Sequence, residues 1–280
     1  MTRREAICDG AARLRAAGIE SPRLDARLLL ARSNGVTPEV LLGDLDLTAH
    51  TRPYEELLRR REAREPLALI LGRREFWGMQ FTVSDATLVP RPDSETLIEA
   101  ACAAFPDPAN SPQQILDLGT GTGCLLLAAL AEFPTAFGVG LDVSPAAASL
   151  ARRNAAMLGF GNRTAFVVAH WARAVAGRFD LVIANPPYVA SAEIPRLMPE
   201  VALYEPLPAL DGGIDGLDAY RVLIPAIPRL LSSAGVAVLE IGFGQAKPVE
   251  TLATGAGLTT SVVSDLAGTS RAIVLRNASP

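Results

Sequence analysis

The sequence predicts an α/β protein: a mostly parallel sheet covered by helices on both faces, closed by an antiparallel pair of strands and preceded by a small helical domain. Three observations carry this reading. From residue 115 onward, short apolar runs alternate with helical patterns, and continuous apolar strands belong to a parallel sheet buried on both faces. The last two strand-like runs, 258–263 and 272–275, are joined by a loop too short for a crossover helix. They must therefore pair antiparallel. The first 70 or so residues lack this alternation and read as short helices.

Composition narrows the class. The 280 residues suit one α/β domain with a smaller partner. With 49% hydrophobic and 20% charged residues, disordered, collagen-like and coiled-coil chains are excluded. Cys8, Cys102 and Cys124 are far apart and show no CxxC or Cys/His clustering, so neither a disulfide scaffold nor a metal site is expected. No apolar run reaches the roughly 18 residues of a membrane-spanning helix. The start carries Glu5 and Asp9 without a long apolar stretch, which reads poorly as a targeting peptide. A soluble protein of the cytoplasm is the expectation.

Taken in order, residues 11–17 and 23–33 have apolar residues at three-and-four spacing (Leu24, Leu28, Leu29), with Ser21 as N-cap and Pro22 at the first helical position. A third helix is expected over 53–64. Residues 74–83 read as strand, with Gly78 suited to a hairpin turn. Pro90 and Pro92 stiffen the connection before a helix that opens at about Ser94. Strands are then expected at 115–118, 137–143, 165–168, 179–184 and 236–241, ahead of the closing pair. Helices are expected at 125–133 and 145–158.

Charge is uneven. Residues 1–74 hold 14 arginines against 11 acidic residues, a net of +3, and the remainder 12 basic against 19 acidic, a net of −7. An overall pI of 5.4 is not the basic footprint of a nucleic-acid enzyme. The densest cluster, Arg59-Arg-Arg-Glu-Ala-Arg64, sits among Glu55, Glu56, Glu62 and Glu65 at helical spacing. It reads either as a solvated helix face laced with i,i+4 pairs or as a contact surface for RNA or an acidic partner.

Chemistry concentrates in two segments. Asp117-Leu-Gly-Thr-Gly-Thr-Gly-Cys124 follows a strand and opens a helix; glycines there let the backbone turn tightly and approach a ligand. A dinucleotide fingerprint needs G-x-G-x-x-G. Gly119 and Gly121 fit it, but the third position is Cys124, and the glycine comes one place early at Gly123. The displacement argues against NAD and fits S-adenosylmethionine, which needs close backbone contact and no pyrophosphate cradle. Asp142 closes the next strand, where a carboxylate can accept both ribose hydroxyls. The alternative is a structural turn with a strand-end aspartate.

The second segment, Asn185-Pro-Pro-Tyr188, ends the strand at 179–184 and would face the same crevice. Neither Pro186 nor Pro187 has a backbone N–H, so the turn presents carbonyl acceptors, and Asn185 adds a side-chain carbonyl. Two acceptors can hold both hydrogens of an NH2 group. That opposes delocalisation of the nitrogen lone pair and aims it at a methyl donor. Tyr188 can stack on the flat group bearing the nitrogen and favour the developing positive charge.

With these segments the chain resembles the release-factor glutamine methyltransferases, the PrmC/HemK family, across nearly its whole length. The matching stretches are Glu65-Pro-Leu-Ala-Leu-Ile-Leu-Gly72, Glu75-Phe-Trp-Gly78, Pro90-Arg-Pro-Asp-Ser-Glu95, Asp117 to Cys124, Asn185 to Tyr188, Glu205-Pro206, Asp211-Gly-Gly-Ile-Asp-Gly-Leu-Asp218 and Glu240-Ile-Gly242. The resemblance implies a class I S-adenosylmethionine-dependent methyltransferase with a Rossmann-like, mostly parallel seven-stranded sheet and an antiparallel last strand. It implies a helical substrate-docking domain at 1–73, a β-hairpin linker at 74–93 and the methyltransferase domain at 94–280. The implied substrate is the glutamine of the Gly-Gly-Gln loop of class 1 peptide chain release factors, and the implied product S-adenosyl-L-homocysteine. Gly119, Thr120, Gly121, Thr122 and Gly123 would line the methionine part of the cofactor, and Asp142 would hold the ribose. Trp171, in Ala169-His-Trp-Ala172, would lie by the adenine. His170 stands where such enzymes often carry an acidic residue, and a core-facing tryptophan is the competing reading. Asn185 would meet the methyl-donor end and the substrate amide, with Pro186, Pro187 and Tyr188 completing the pocket. Ser94, where the family commonly has threonine, keeps a hydroxyl cap. Cys124 reads as small apolar packing under the glycine loop.

Two other functions compete. An exocyclic-amine methyltransferase of adenine or guanine would carry a basic target-recognition region, and +3 over 74 residues is not one. A non-catalytic adenosine-ligand binder would have an eroded acceptor motif, whereas Asn185 to Tyr188 is intact. No direct DNA binding, no membrane and no metal are expected, and the chain is expected to act as a monomer.

Overall fold

The computed structural model describes residues 1–278, and the chain divides into two units: Met1–Arg73 with Leu197–Tyr204, and Arg74–Arg196 with Glu205 onward. Residues 197–204, part of the 94–280 segment in the sequence reading, thus cluster with the helical residues. No helix among the described residues is long and apolar enough to cross a membrane.

The first unit is helical: α1 (Arg3–Ala16), α2 (Pro22–Asn34), α3 (Pro38–Gly43), α4 (Thr51–Glu62) and α5 (Leu67–Leu71). Helix α1 begins eight residues before the apolar spacing places it, because Thr2 and Glu5 form a capping box that closes its first turn. Pro22 does open α2, although the Ser21 side chain makes no cap bond. Leu14, Leu29, Leu30, Leu41, Tyr54 and Leu58 form a common core. Gly10 is required there, since a Cβ at this position would overlap the Tyr54 hydroxyl, which donates to the Ala6 carbonyl at 3.2 Å.

The arginine cluster fits the solvated-face reading only in part: Arg59 keeps an exposed i,i+4 pair with Glu55, but Arg61 and Arg64 turn to partners elsewhere in the unit. Arg61 is buried and donates to Asp25 (2.8 Å) and Glu200 (3.0 Å). Arg64 donates to both Glu200 oxygens, at 2.8 and 2.7 Å, and to the Gly18 carbonyl. Arg60 pairs with Glu65. Only the flanking Arg59 stays largely in solvent. Arg61 and Arg64 therefore tie helical residues to Glu200 within the unit, while Arg59 and Arg60 remain at its surface.

In the second unit, β1 (Arg73–Phe76) and β2 (Met79–Thr82) form a hairpin. Its turn residues Trp77 and Gly78 both have positive φ, the condition for a two-residue turn that matches strand twist. Helices α6 (Glu95–Ala104), α7 (Cys124–Glu132) and α8 (Pro145–Met157) alternate with β3 (Gln114–Leu118), β4 (Phe137–Asp142) and β5 (Thr164–Val168). Strands β6 (Phe179–Ala184), β7 (Leu231–Glu240), β8 (Leu258–Ser264) and β9 (Ser270–Asn277) complete a seven-stranded sheet in the order β5-β4-β3-β6-β7-β9-β8. All pairings are parallel except those of β9, which runs antiparallel between β7 and β8. Successive strand residues alternate between two buried clusters: Ile115, Leu181, Ile183 and Val238 on one face, Leu116, Leu118, Val182 and Leu239 on the other. Because β4 and β6 flank β3, the chain reverses its winding there, and the loops after these three strands share one crevice.

Candidate active site

The loop after β3 is built by its glycines. Gly119, Gly121 and Gly123 have φ of 79°, 54° and 83°, a region where only glycine is free of strain. The backbone N–H groups of Gly119 and Thr120 both donate to the Leu141 carbonyl at 2.8 Å, tying the loop to the end of β4. Gly123 is the N-cap of α7, and a Cβ there would press on Ala151 of α8 at 3.2 Å. Asn154 of α8 fastens the loop from beneath: its amide donates to the carbonyls of Thr122 and Thr82 and accepts from the Thr82 N–H.

Two acidic groups, Asp142 and Asp117, hold this turn, and a third, Glu240, lies at the end of β7. Asp142 accepts from the Gly121 N–H and the Ser144 N–H, both at 2.9 Å, one on each carboxylate oxygen. Every carboxylate oxygen has further acceptor capacity, so two more donors can be held. Asp117 is fully buried, which pushes its carboxyl up to about 7 against the pull of the Thr120 hydroxyl at 2.6 Å. Its Oδ1 has no partner among the described residues. Glu240 closes β7 and is also buried; desolvation raises its carboxyl although Ser94, Tyr188 and Arg271 pull the other way.

A cleft of about 850 Å³ opens over these strand ends. Gly119, Thr120, Gly121, Thr122, Asp142, Trp171, Asn185 and Pro187 all line it. Gly123 does not, serving instead as the helix cap. Trp171, held at a φ of 49°, stands within reach of Gly119: a Cβ on that glycine would lie 3.5 Å from the indole. The same indole packs against the second core cluster, so it faces both cleft and core. Cys124 lines the cleft with its thiol pushed up to about 12 by burial, an inert state.

The acceptor turn is anchored from behind. Pro186 is buried beneath the cleft-lining Asn185 and Pro187. Tyr188 is turned towards the sheet, its hydroxyl donating to Glu240 Oε1 at 3.1 Å. Its carbonyl accepts from Gln245 at 2.9 Å, and a Cβ on Gly216 would overlap that carbonyl. The glycine-rich run 211–218 therefore wraps the turn, with Val189 bridging to Asp211. The Asn185 Nδ2 group donates to Ser94 Oγ at 3.2 Å, and Ser94 donates to Glu240 Oε2 at 2.5 Å. Ser94 makes no helix-cap bond, contrary to the sequence expectation, because its hydroxyl is committed to Glu240. Sequence reasoning gave no role to Glu240 or Asn154. Each carries a readable signal: a carboxylate ending an apolar strand, and an amide on a helix face otherwise made of Ala147, Ala151 and Ala155. No cluster of potential metal ligands occurs among the described residues.

Residues 5–72 match the family described as the PrmC N-terminal domain, and residues 96–201 match the methyltransferase small domain. The chain is 48% identical over 271 residues to the release factor glutamine methyltransferase of Rhodospirillum rubrum, covering 95% of this chain and 82% of that protein. Against the protein of the same name from Bradyrhizobium diazoefficiens, identity is 47% over 276 residues, 96% of this chain and 93% of the relative. Among solved structures, a methyltransferase from Pyrococcus furiosus shares the fold with a TM-score of 0.53 at 16% identity, covering 72% of this chain and 90% of that one. The ribosomal protein L11 methylase of Lactobacillus delbrueckii subsp. bulgaricus does so at 0.51 and 17% identity, covering 68% and 81%.

Proposed function

The chain belongs to the family of release factor glutamine methyltransferases, and from that premise we propose that it methylates the side-chain amide nitrogen of the glutamine in the Gly-Gly-Gln motif of class 1 peptide chain release factors, using S-adenosyl-L-methionine. The observation that carries this reading is the sharing of one cleft by the glycine loop, Asp142 and Asn185. Residues 1–73 are read as the substrate-docking domain, 74–93 as the hairpin linker and 94–280 as the methyltransferase domain.

The residues present suit the cofactor. The unpartnered, buried Asp117 Oδ1 beneath the loop would gain a counter-charge from an ammonium group. The side-chain-free Gly119 and Gly121 admit the methionine part close to the backbone, beside Thr120 and Thr122. Asp142, already oriented by two N–H groups, would accept from the ribose hydroxyls, and Trp171 would flank the adenine. When bound, the cofactor supplies an electrophilic methyl group on a sulfonium.

The chain's own part is to prepare the nitrogen. Asn185 Oδ1 accepts one amide hydrogen of the substrate and a carbonyl of the Pro186-Pro187 turn accepts the other. This holds the lone pair out of conjugation and stabilises the positive charge that grows on nitrogen. Tyr188 contributes to the pocket by fixing this turn through Glu240. No side-chain base is needed, since the methylated nitrogen loses its proton to water.

Calorimetry should show binding of S-adenosylmethionine and none of NAD. Asp142→Ala should weaken the former by about 10- to 100-fold, the loss of hydrogen bonds to a charged acceptor. Binding of NAD alone would contradict the reading of the loop. The function itself is tested by labelled methyl transfer with purified release factor, DNA and RNA supplied side by side. Label on release factor alone supports the proposal, and label on adenine or guanine would favour the exocyclic-amine alternative.

A further inference from the structure

An asparagine amide is nearly symmetric in shape, and only its oxygen can accept a substrate hydrogen. With Nδ2 facing the cleft, Asn185 would oppose donor to donor. Something must therefore choose the end, and the proposal that follows rests on the acceptor role given to Asn185 above. We propose that Ser94 and Glu240 are positioning residues: together they fix the Asn185 amide with Nδ2 inward and Oδ1 presented to the substrate nitrogen.

Donors and acceptors around Glu240 can be counted. Glu240, 1% exposed, closes β7, and Asn185 follows β6, its neighbour in the sheet. Ser94, 3% exposed, precedes α6 and stands between them. An ionised carboxylate only accepts, so the single Ser94 hydrogen goes to Glu240 Oε2 at 2.5 Å. The Ser94 oxygen is then left with lone pairs alone, and the group 3.2 Å away must be a donor, the Asn185 Nδ2. Oδ1 is the remaining end, without a partner among the described residues. The Tyr188 hydroxyl donates to Glu240 Oε1, so each carboxylate oxygen holds one hydroxyl donor, while the Tyr220 hydroxyl anchors the Glu240 backbone carbonyl.

Protonation would reverse the sense. A proton on Glu240 Oε2 can be donated to Ser94, freeing the Ser94 hydrogen for Asn185 Oδ1 and turning Nδ2 to the cleft. The groups facing Glu240 are Ser94, Tyr188, Arg271 and Asp93; burial first, and then Asp93, raise its carboxyl while the other three lower it, with a net rise. Turnover should therefore fall on the acid side with a limb above the ordinary carboxylate range.

The test uses the full chain and the variants Ser94→Ala, Ser94→Thr and Glu240→Gln. Ser94→Ala and Glu240→Gln should lower kcat on release factor by about 10- to 100-fold, the loss of one fixed polar contact. KM should stay within about twofold, because the contact matters when nitrogen becomes cationic. Ser94→Thr, which keeps the hydroxyl, should recover most of kcat, and Glu240→Gln should lose the acid limb. The Asn185 side-chain amide signals in a 15N-labelled protein, identified by their loss in Asn185→Ala, should move in Ser94→Ala and Glu240→Gln and return in Ser94→Thr. Unchanged affinity for S-adenosylhomocysteine reports an intact fold. Should Glu240→Gln fail to fold, the Ser94 pair carries the test alone. Wild-type kcat in Ser94→Ala, or no recovery in a folded Ser94→Thr, overturns the proposal. A wild-type protein that leaves release factor unmethylated would overturn the function instead, and the amide signals would still decide the relay.

Discussion

Asn185→Ala should lower methylation of release factor by about 100- to 1000-fold, the typical cost of removing one acceptor that holds a reacting group in attack geometry. The side chain reaches the cleft from the end of β6, and its only internal bond among the described residues runs to Ser94. The alanine therefore leaves the sheet and both core clusters untouched. Cofactor affinity should weaken by less than turnover, since the glycine loop and Asp142 remain. Single-turnover methyl transfer separates the two quantities. Retention of more than half the wild-type rate would show that Asn185 is not the acceptor.

Glu200→Ala should destabilise the helical unit by about 3–5 kcal/mol, the usual consequence of stripping a buried ion pair of one partner. Arg61 and Arg64 both converge on this carboxylate, and Arg61 is buried. The pH dependence has a definite sign. Burial works to raise the Glu200 carboxyl, but the bonds from Arg64 and Arg61 outweigh it and leave it below its usual value of 4.5. The stabilisation is then fully present above that value and is lost as pH falls through the lowered one. Urea unfolding of wild type and variant should differ most near neutrality and converge in acid. A difference below about 1 kcal/mol at neutral pH would mean that the arginines find other partners.

The sheet was legible because its strands are short continuous apolar runs alternating with helical patterns, as strands buried on both faces read. The start of β7 was not, since Ser232-Ser-Ala-Gly235 carries no run of large apolar residues and falls in the register shift between the Leu231 and Val236 pairings with β6. Helix α1 was read late because Arg3 and Arg4 hide its first turn, although Thr2 and Glu5 announced a cap. In the cleft, the glycine loop and the Asn185 turn could be read because each is contiguous. The Ser94–Glu240 bond spans 146 residues and the Asn185–Ser94 bond 91, and no local pattern encodes such meetings. The arginine cluster misled for the same reason: Glu200 lies 139 residues from Arg61.

The central claim is that the methyl group goes to one glutamine amide of a release factor. Peptide mapping by mass spectrometry after incubation with S-adenosylmethionine tests it most directly, using wild-type release factor and a variant with that glutamine changed to alanine. A single added methyl group on the Gly-Gly-Gln peptide, absent from the variant, is the predicted result. A methyl group on any other residue, or one that persists in the variant, would contradict the account.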